Sequence, residues 1–273
     1  MTARFGIGSV LAASVRIWAR NLVRFIAITA LLYLPVIAWD LAVLVDAFGI
    51  FSRYYRFVFD LNPVLRGLPS GLFVVHACTT AAVAQGVLVA LNGKPSPIGR
   101  SLAVAVRRFL PVVGVALIVQ VVTLGVFAAL LWLVSLLGDL DLAILGALLF
   151  YVVVLSVFNL VIPVAAAERR TVIGSIVRGF RLARGGRFRV FALVLLWQVA
   201  YWGGQQLLSL IVFSYRGPDS DAYRRAATLY GYINLGFHLV LFSLGAVIAA
   251  VSYRFLRDDK EGPATEQLVQ VFE

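Results

Sequence analysis

Six stretches of predominantly apolar residues follow one another along the chain, each long enough to cross a bilayer as a helix, which takes about 20 residues. They run from Phe25 to about Leu44, from about Gly71 to Leu91, from Phe109 to Leu137, from Leu142 to Ala167, from Val190 to about Phe213 and from about Leu229 to Tyr253. The third and fourth hold no charged residue, the first holds Pro35 and Asp40, and His238 is the one acid, base or histidine in the sixth. A membrane barrel would show strands of about ten residues alternating apolar and polar positions. These runs do not alternate, so the predicted fold is an all-α integral membrane protein with six transmembrane helices.

A shorter, basic and amphipathic segment precedes the first, third and fifth runs. Arg16, Arg20 and Arg24 recur every four residues and share a helix face, opposite Ile7, Val10, Leu11, Ile17 and Trp18. Arg100 and Arg107 lie opposite Ile98, Leu102, Ala105 and Phe109, and Arg178, Arg181 and Arg184 lie opposite Val172, Ile173, Ile176 and Phe180. Such helices are expected to lie in the membrane interface. The first has the outline of a signal peptide, with Arg4, a short apolar stretch and Ala12-Ala13-Ser14, but Arg16 and Arg20 interrupt it, and an uncleaved amphipathic helix is the reading.

Ile7-Gly8-Ser9, Ile98-Gly99-Arg100 and Ile173-Gly174-Ser175 open the three basic segments at spacings of 91 and 75 residues. The repeated order of segments is the stronger signal: interfacial helix, span, span, three times over. The units cover residues 5–91, 95–167 and 171–254 of a single membrane domain spanning 1–257, and a short polar tail, 258–273, follows. Because each unit crosses twice, all three have the same orientation and are related by an axis along the membrane normal. A pseudo-threefold bundle with three basic helices around one rim is predicted.

Counting Lys and Arg on alternate sides of the spans sets the orientation. One side holds 18 of the 24, among them Arg4, Lys94, Arg108, Arg169, Arg170, Arg187, Arg189, Arg254, Arg257 and Lys260. The other holds Arg53, Arg56, Arg66, Arg216, Arg224 and Arg225 against seven Asp, which leaves it at a net charge of −1. Both termini are therefore expected on the cytoplasmic face of a bacterial inner membrane. Residues 45–70, with Tyr54, Tyr55, Phe57 and Phe59 among charges, suit an outer headgroup region. Gly138 to Asp141 reads as a tight hairpin and Arg216 to Asp221 as an exposed turn.

Composition agrees with the pattern. The chain is 62% hydrophobic and 14% charged, with a mean hydropathy of +0.95, whereas soluble domains carry roughly a quarter of their residues as charges. The net charge of +11 sits at the ends of apolar runs, which fits topology and anionic lipid and argues against a nucleic-acid groove. Cys78 is the single cysteine, so no intramolecular disulfide is possible, and it reads as a small packing residue. The second span is rich in small residues, Ala77, Cys78, Thr80, Ala81, Ala84 and Gly86, which predicts a helix at the centre of the bundle or at a dimer contact.

Around Ile162 to Phe191 the chain resembles the membrane domain found with some bacterial glycerophosphoryl diester phosphodiesterases and related multi-span families of unknown function. The residues that carry the resemblance are Pro163, Glu168, Ser175, Arg178, Phe180, Leu182, Arg184, Gly185 and Arg187, with the amphipathic start at 7–24 and Gly93-Lys94-Pro95-Ser96 in support. The resemblance implies membrane architecture and no phosphodiesterase activity, because in those enzymes a separate soluble barrel carries the chemistry.

No GxSxG, HExxH, Walker loop or paired intramembrane carboxylates are present, so no catalytic residues, no metal and no cofactor are expected, and the protein is read as a non-enzyme. Two groups of residues are candidates for function. Arg178, Arg181, Arg184, Arg187 and Arg189 could bind lipid phosphate, each juxtamembrane charge being worth about 1 kcal/mol beside an anionic leaflet, or could serve topology and anchoring only. Asp40, Asn234 and His238 form the possible intramembrane polar site. Asp40 could equally reach the outer headgroups, and Asn234 and His238, spaced i to i+4, could equally be a hydrogen-bonded packing pair. His238 and Asn234 with a serine such as Ser209 would be the only nucleophilic set. Gln85, Gln120, Asn159, Gln198, Gln205 and Gln206 need partners in hydrocarbon and are expected to face other helices. The function expected is association with anionic lipid or a membrane partner, including a second copy of the chain, through the Arg helices. The alternative is a transporter or flippase of a lipid-derived or amphipathic solute, which requires a polar central cavity.

Overall fold

The computed structural model describes residues 5–45, 72–93, 97–137, 140–168, 170–214 and 220–262, and the regular structure among them is helical throughout. In chain order the helices are α1 (Ile7–Arg20), α2 (Leu22–Val45), α3 (Leu72–Leu91), α4 (Ile98–Arg107), α5 (Phe109–Leu137), α6 (Leu140–Ala167), α7 (Val172–Ala183), α8 (Arg187–Ser214) and α9 (Ser220–Glu261). The expected outer loop at 45–70 lies almost wholly outside the described residues, as do Gly138, Asp139 and residues 215–219 of the two outer turns.

Local chemistry sets the breaks between helices. At the start of α1, Ser9 Oγ accepts from the Gly6 amide at 3.2 Å and donates to the Gly6 carbonyl at 2.8 Å. At the start of α7, Thr171 Oγ1 accepts from the Gly174 amide at 3.2 Å, satisfying one free donor of the first turn. Gly185, at φ +88°, turns the chain out of α7, a left-handed conformation that costs a glycine little. Gly262, at φ +75°, follows α9, which therefore runs past Tyr253 and absorbs Asp258, Asp259, Lys260 and Glu261. The first residues of the expected polar tail are thus helical, and residues 263–273 lie outside the described part of the chain.

The small-residue helix α3 is the centre of the fold, as its composition predicts. It packs against α2, α4, α5, α6 and α9, and Ala77, Ala81, Ala82, Val83, Ala84 and Val87 are buried. Two cores meet on it. One joins α3 to α1, α2, α4, α6, α7, α8 and α9 around Phe25, Leu160, Leu193, Tyr253 and Leu256; the other joins it to α5 and α6 around Val112, Val115, Val119 and Val161. The neighbours of the outer helices follow a rule: α2 touches α3 and α9, α5 touches α6 and α3, and α8 touches α9 and α6. The amphipathic helices obey another, α4 packing on α3, α7 on α6 and α1 on α9.

By length and hydropathy, three helical stretches among the described residues can cross a membrane: Val74–Leu91, Phe109–Val126 and Leu229–Glu261. Ile7–Arg20 with Leu22–Ala38 would add a fourth as a pair bent by 83°. Val152–Ala167 is apolar but shorter. The fifth run is diluted by Gln198, Gly203, Gly204, Gln205 and Gln206, which lowers the mean apolarity of α8 well below that of α5 or α6.

The amphipathic helices differ from the expected surface rods. Trp18 Nε1 of α1 donates to Ser243 Oγ of α9 at 2.8 Å, while Phe5 and Leu256 meet around Gly186. The helix α1 therefore runs lengthwise back along α9. In the same way α7 returns along α6, with Gly179 against Val161. The face that α7 turns to the protein holds Ser175, Gly179, Leu182 and Ala183, with Val172 and Ile176 half-buried against the core of α3, α5 and α6. Small side chains let two helix backbones approach closely. Ile173 is left 70% exposed, with Val177 and Phe180 also exposed beside it.

Candidate functional site

The five candidate arginines separate into three kinds. Arg178 is turned inward: its Nε donates to Glu168 Oε1 at 3.1 Å and its Nη2 donates to Glu261 Oε1. Glu168 also accepts from Arg170 Nε at 2.6 Å and from the Tyr253 hydroxyl at 3.2 Å. Burial works against ionisation of Glu168, but the hydrogen bonds from Arg170 and Arg178, the Arg178 charge and Tyr253 together hold its carboxyl below the usual range. Burial likewise works against the Arg178 charge, and Glu261 and Glu168 overcome it, raising the guanidinium above its ordinary value. Arg178 is thus the clasp joining the end of α6, the middle of α7 and the end of α9. This corrects its assignment to a headgroup-binding stripe, since its charge is already met by two carboxylates.

Arg189 is committed differently, its Nη1 donating to the Phe5 carbonyl at 2.7 Å, which ties α8 to the segment leading into α1. Arg181, Arg184 and Arg187 are exposed. Lys260 joins them, donating to the carbonyls of Arg181 and Arg184, each at 2.6 Å, where the last turn of α7 leaves acceptors free. The charges of Arg184 and Arg187 act on Lys260, opposed by Asp259. Arg254 and Asp258 pair at 2.9 Å, and Arg257 approaches Glu261 at 3.4 Å.

A second polar centre lies between α8 and α9. Tyr230, Asn234, His238 and Phe242 recur every four residues on α9, and Trp197, Tyr201 and Gln205 recur every four on α8, so each set shares a helix face. The two faces meet. The Tyr230 hydroxyl donates to Gln205 Oε1 at 3.2 Å, Gln205 Nε2 lies 2.9 Å from His238 Nε2, and His238 Nδ1 lies 2.9 Å from the Tyr201 hydroxyl. An amide nitrogen can only donate, so with Gln205 in this orientation His238 accepts at Nε2 and its Nδ1–H donates to Tyr201. Phe242 then stacks within 5.6 Å of Tyr201 and Tyr33 and within 5.1 Å of His238 and 5.0 Å of His76. His76 Nδ1 lies 3.4 Å from the Tyr33 hydroxyl.

Two expectations change here. Asn234 and His238 are not a hydrogen-bonded pair: both ring nitrogens of His238 are taken by α8, and Asn234 Oδ1 is buried and accepts no hydrogen bond among the described residues. Neither partner of His238 is a serine, so the set with Ser209 is not assembled. Asp40 lies in α2, and its side chain is outside the described part. The partners Tyr201 and Tyr230 lie four residues before Gln205 and Asn234 in the sequence. The two histidines, in separate spans, are brought to one aromatic ring.

Chemically, the centre links Tyr230, Gln205, His238 and Tyr201 in one chain of hydrogen bonds between α8 and α9. Among the described residues no three His, Cys, Asp or Glu side chains lie close enough to hold a metal ion. Searches of family models, of curated proteins and of solved structures find no match to this chain.

Proposed function

We propose that this is a non-enzymatic protein of a bacterial inner membrane, with six spans in three same-orientation units and both termini in the cytoplasm, that associates with anionic lipid through the cations of α1, α4 and α7. The observation that carries the reading is the outer face of α7, where exposed Ile173, Val177 and Phe180 stand beside exposed Arg181 and Arg184. Apolar side chains next to arginine on one exposed helix face match the boundary between acyl chains and phosphates. The other two helices repeat it, Val15 lying beside Arg16 and Val106 beside Arg107, all exposed.

The three-unit architecture is supported by the neighbour rules. Each amphipathic helix packs on the second long helix of the preceding unit, with α1 closing the circle on α9, and each first long helix fills the gap between two second ones. A threefold axis through α3, α6 and α9 would produce that pattern. The family resemblance fits the same architecture.

The lipid reading is tested by tryptophan quenching after reconstitution, comparing brominated phosphatidylglycerol with brominated phosphatidylcholine. Stronger quenching by the anionic lipid is expected, weakened by salt and by the triple change Arg181→Gln, Arg184→Gln, Arg187→Gln. Equal quenching by both lipids sinks the reading.

A further inference from the structure

A groove of about 260 Å3 opens where α6, the end of α7 and the start of α8 meet. Val153 and Ser156 form one wall, Phe188 and Phe191 the other, Ala183 and Val190 lie beneath, and Arg187 stands on the lining. The Ser156 hydroxyl donates to the Val153 carbonyl at 2.7 Å, so its proton is already placed. The rest of the lining apart from Arg187 is hydrocarbon, and a buried water needs 2–4 polar partners to be held. Phe188, 90% exposed, stands at the edge with no protein covering it.

We infer that this groove holds one acyl chain of an anionic phospholipid, whose phosphate is bound by Arg187 with Arg184 and Lys260 beside it. The inference rests on the lipid association proposed above and deepens it from a general preference to a single site. Three features of charge and shape point to this occupant. The carboxylates of the joint, Glu168 and Glu261, are taken by Arg178, Arg170 and Arg257, and leave Arg184 and Arg187 without an ion pair among the described residues. Lys260 is drawn to the same spot by the carbonyls of Arg181 and Arg184, where the charges of Arg178, Arg184 and Arg187 act on it against that of Asp259. A guanidinium presents two parallel N–H groups to a phosphate diester, a geometry that a zwitterionic headgroup neutralises from its own ammonium. The cations and the apolar slot are contiguous through Arg187, as head and tail are in one lipid.

The site is tested by native mass spectrometry of the full chain released from detergent after equilibration with equimolar phosphatidylglycerol and phosphatidylcholine. One bound phosphatidylglycerol per chain is expected. Val153→Trp, which fills the slot, should abolish that adduct while leaving the quenching preference for anionic lipid in place. Arg187→Gln, an exposed change that leaves the core untouched, should lower phosphatidylglycerol affinity on the order of tenfold and erase headgroup selection. Glycerol phosphate added in excess should not displace the lipid, because it lacks the chain. Retention of the adduct by Val153→Trp, retention of selectivity by Arg187→Gln, displacement by glycerol phosphate, or phosphatidylcholine or detergent in place of the anionic lipid would each overturn the site. Loss of the quenching preference in the unmodified protein would instead remove the broader reading.

Discussion

Arg178 and Glu168 face each other at 3.1 Å across the turn between α6 and α7, with 13% and 14% of their side chains exposed. Removing the carboxylate with Glu168→Gln leaves a largely buried guanidinium with Glu261 as its one remaining anion. Breaking a fully buried pair costs about 3–5 kcal/mol; here water still reaches both groups and Glu261 remains, so a loss of about 2 kcal/mol is expected. Thermal unfolding in mild detergent measures it. The double variant Glu168→Gln, Arg178→Gln should lose less than the sum of the two single changes, and strict additivity would mean that the pair is uncoupled.

The same joint makes stability depend on acidity. The folded Glu168 carboxyl is held below its ordinary value of 4.5, so its contribution is complete above that value and is lost as the pH falls through it towards the lower folded value. Asp258 and Glu261 belong to the same joint and are present in both proteins. The quantity to measure is therefore the difference in melting temperature between the unmodified protein and Glu168→Gln. That difference should shrink steadily on acidification below 4.5 and stay flat above it; a difference that grows in acid contradicts the ion pair.

Gly179 is the closest approach of α7 to α6. A Cβ there would sit 2.5 Å from Val161 Cγ2, and the β-branched valine is stiff at χ1 and cannot swing aside. Gly179→Ala should cost about 1–3 kcal/mol by overpacking, despite the better helix propensity of alanine. Adding Val161→Ala removes the offending methyl, and the double variant should be more stable than Gly179→Ala alone. A melting temperature for Gly179→Ala equal to that of the unmodified protein would show that α7 does not lie against α6 as described.

These residues also mark what the sequence disclosed. The apolar runs and the small residues of α3 announced helices and a central position, because both are matters of local composition. Arg178 looked like its neighbours Arg181 and Arg184, since a helical wheel assigns faces by polarity and cannot see carboxylates that arrive from residues 168 and 261. The packing of Ser175 and Gly179 against α6 was hidden for a related reason, because a wheel that sorts apolar from charged positions gives small residues no side of their own. The four-residue ladders of α8 and α9 were in plain view, but which rungs meet depends on the register of two helices far apart in sequence.

The register of those ladders yields the last prediction. His238 Nδ1–H donates to Tyr201 across the contact between α8 and α9. Tyr201→Phe removes it while keeping the ring that stacks on Phe242 at 5.6 Å, so the loss should come from the polar contact. Hydrogen bonds between membrane helices are worth about 0.6 kcal/mol on average, and an acceptor lost from a buried donor costs more, so about 1 kcal/mol is expected. Tyr201 has further partners, which makes the single variant an overestimate of this one bond. A cycle with His238→Phe isolates it: in the His238→Phe background, Tyr201→Phe should cost measurably less than in the unmodified protein. Equal costs in the two backgrounds would show that Tyr201 and His238 do not share a hydrogen bond, and that α8 and α9 meet in another register.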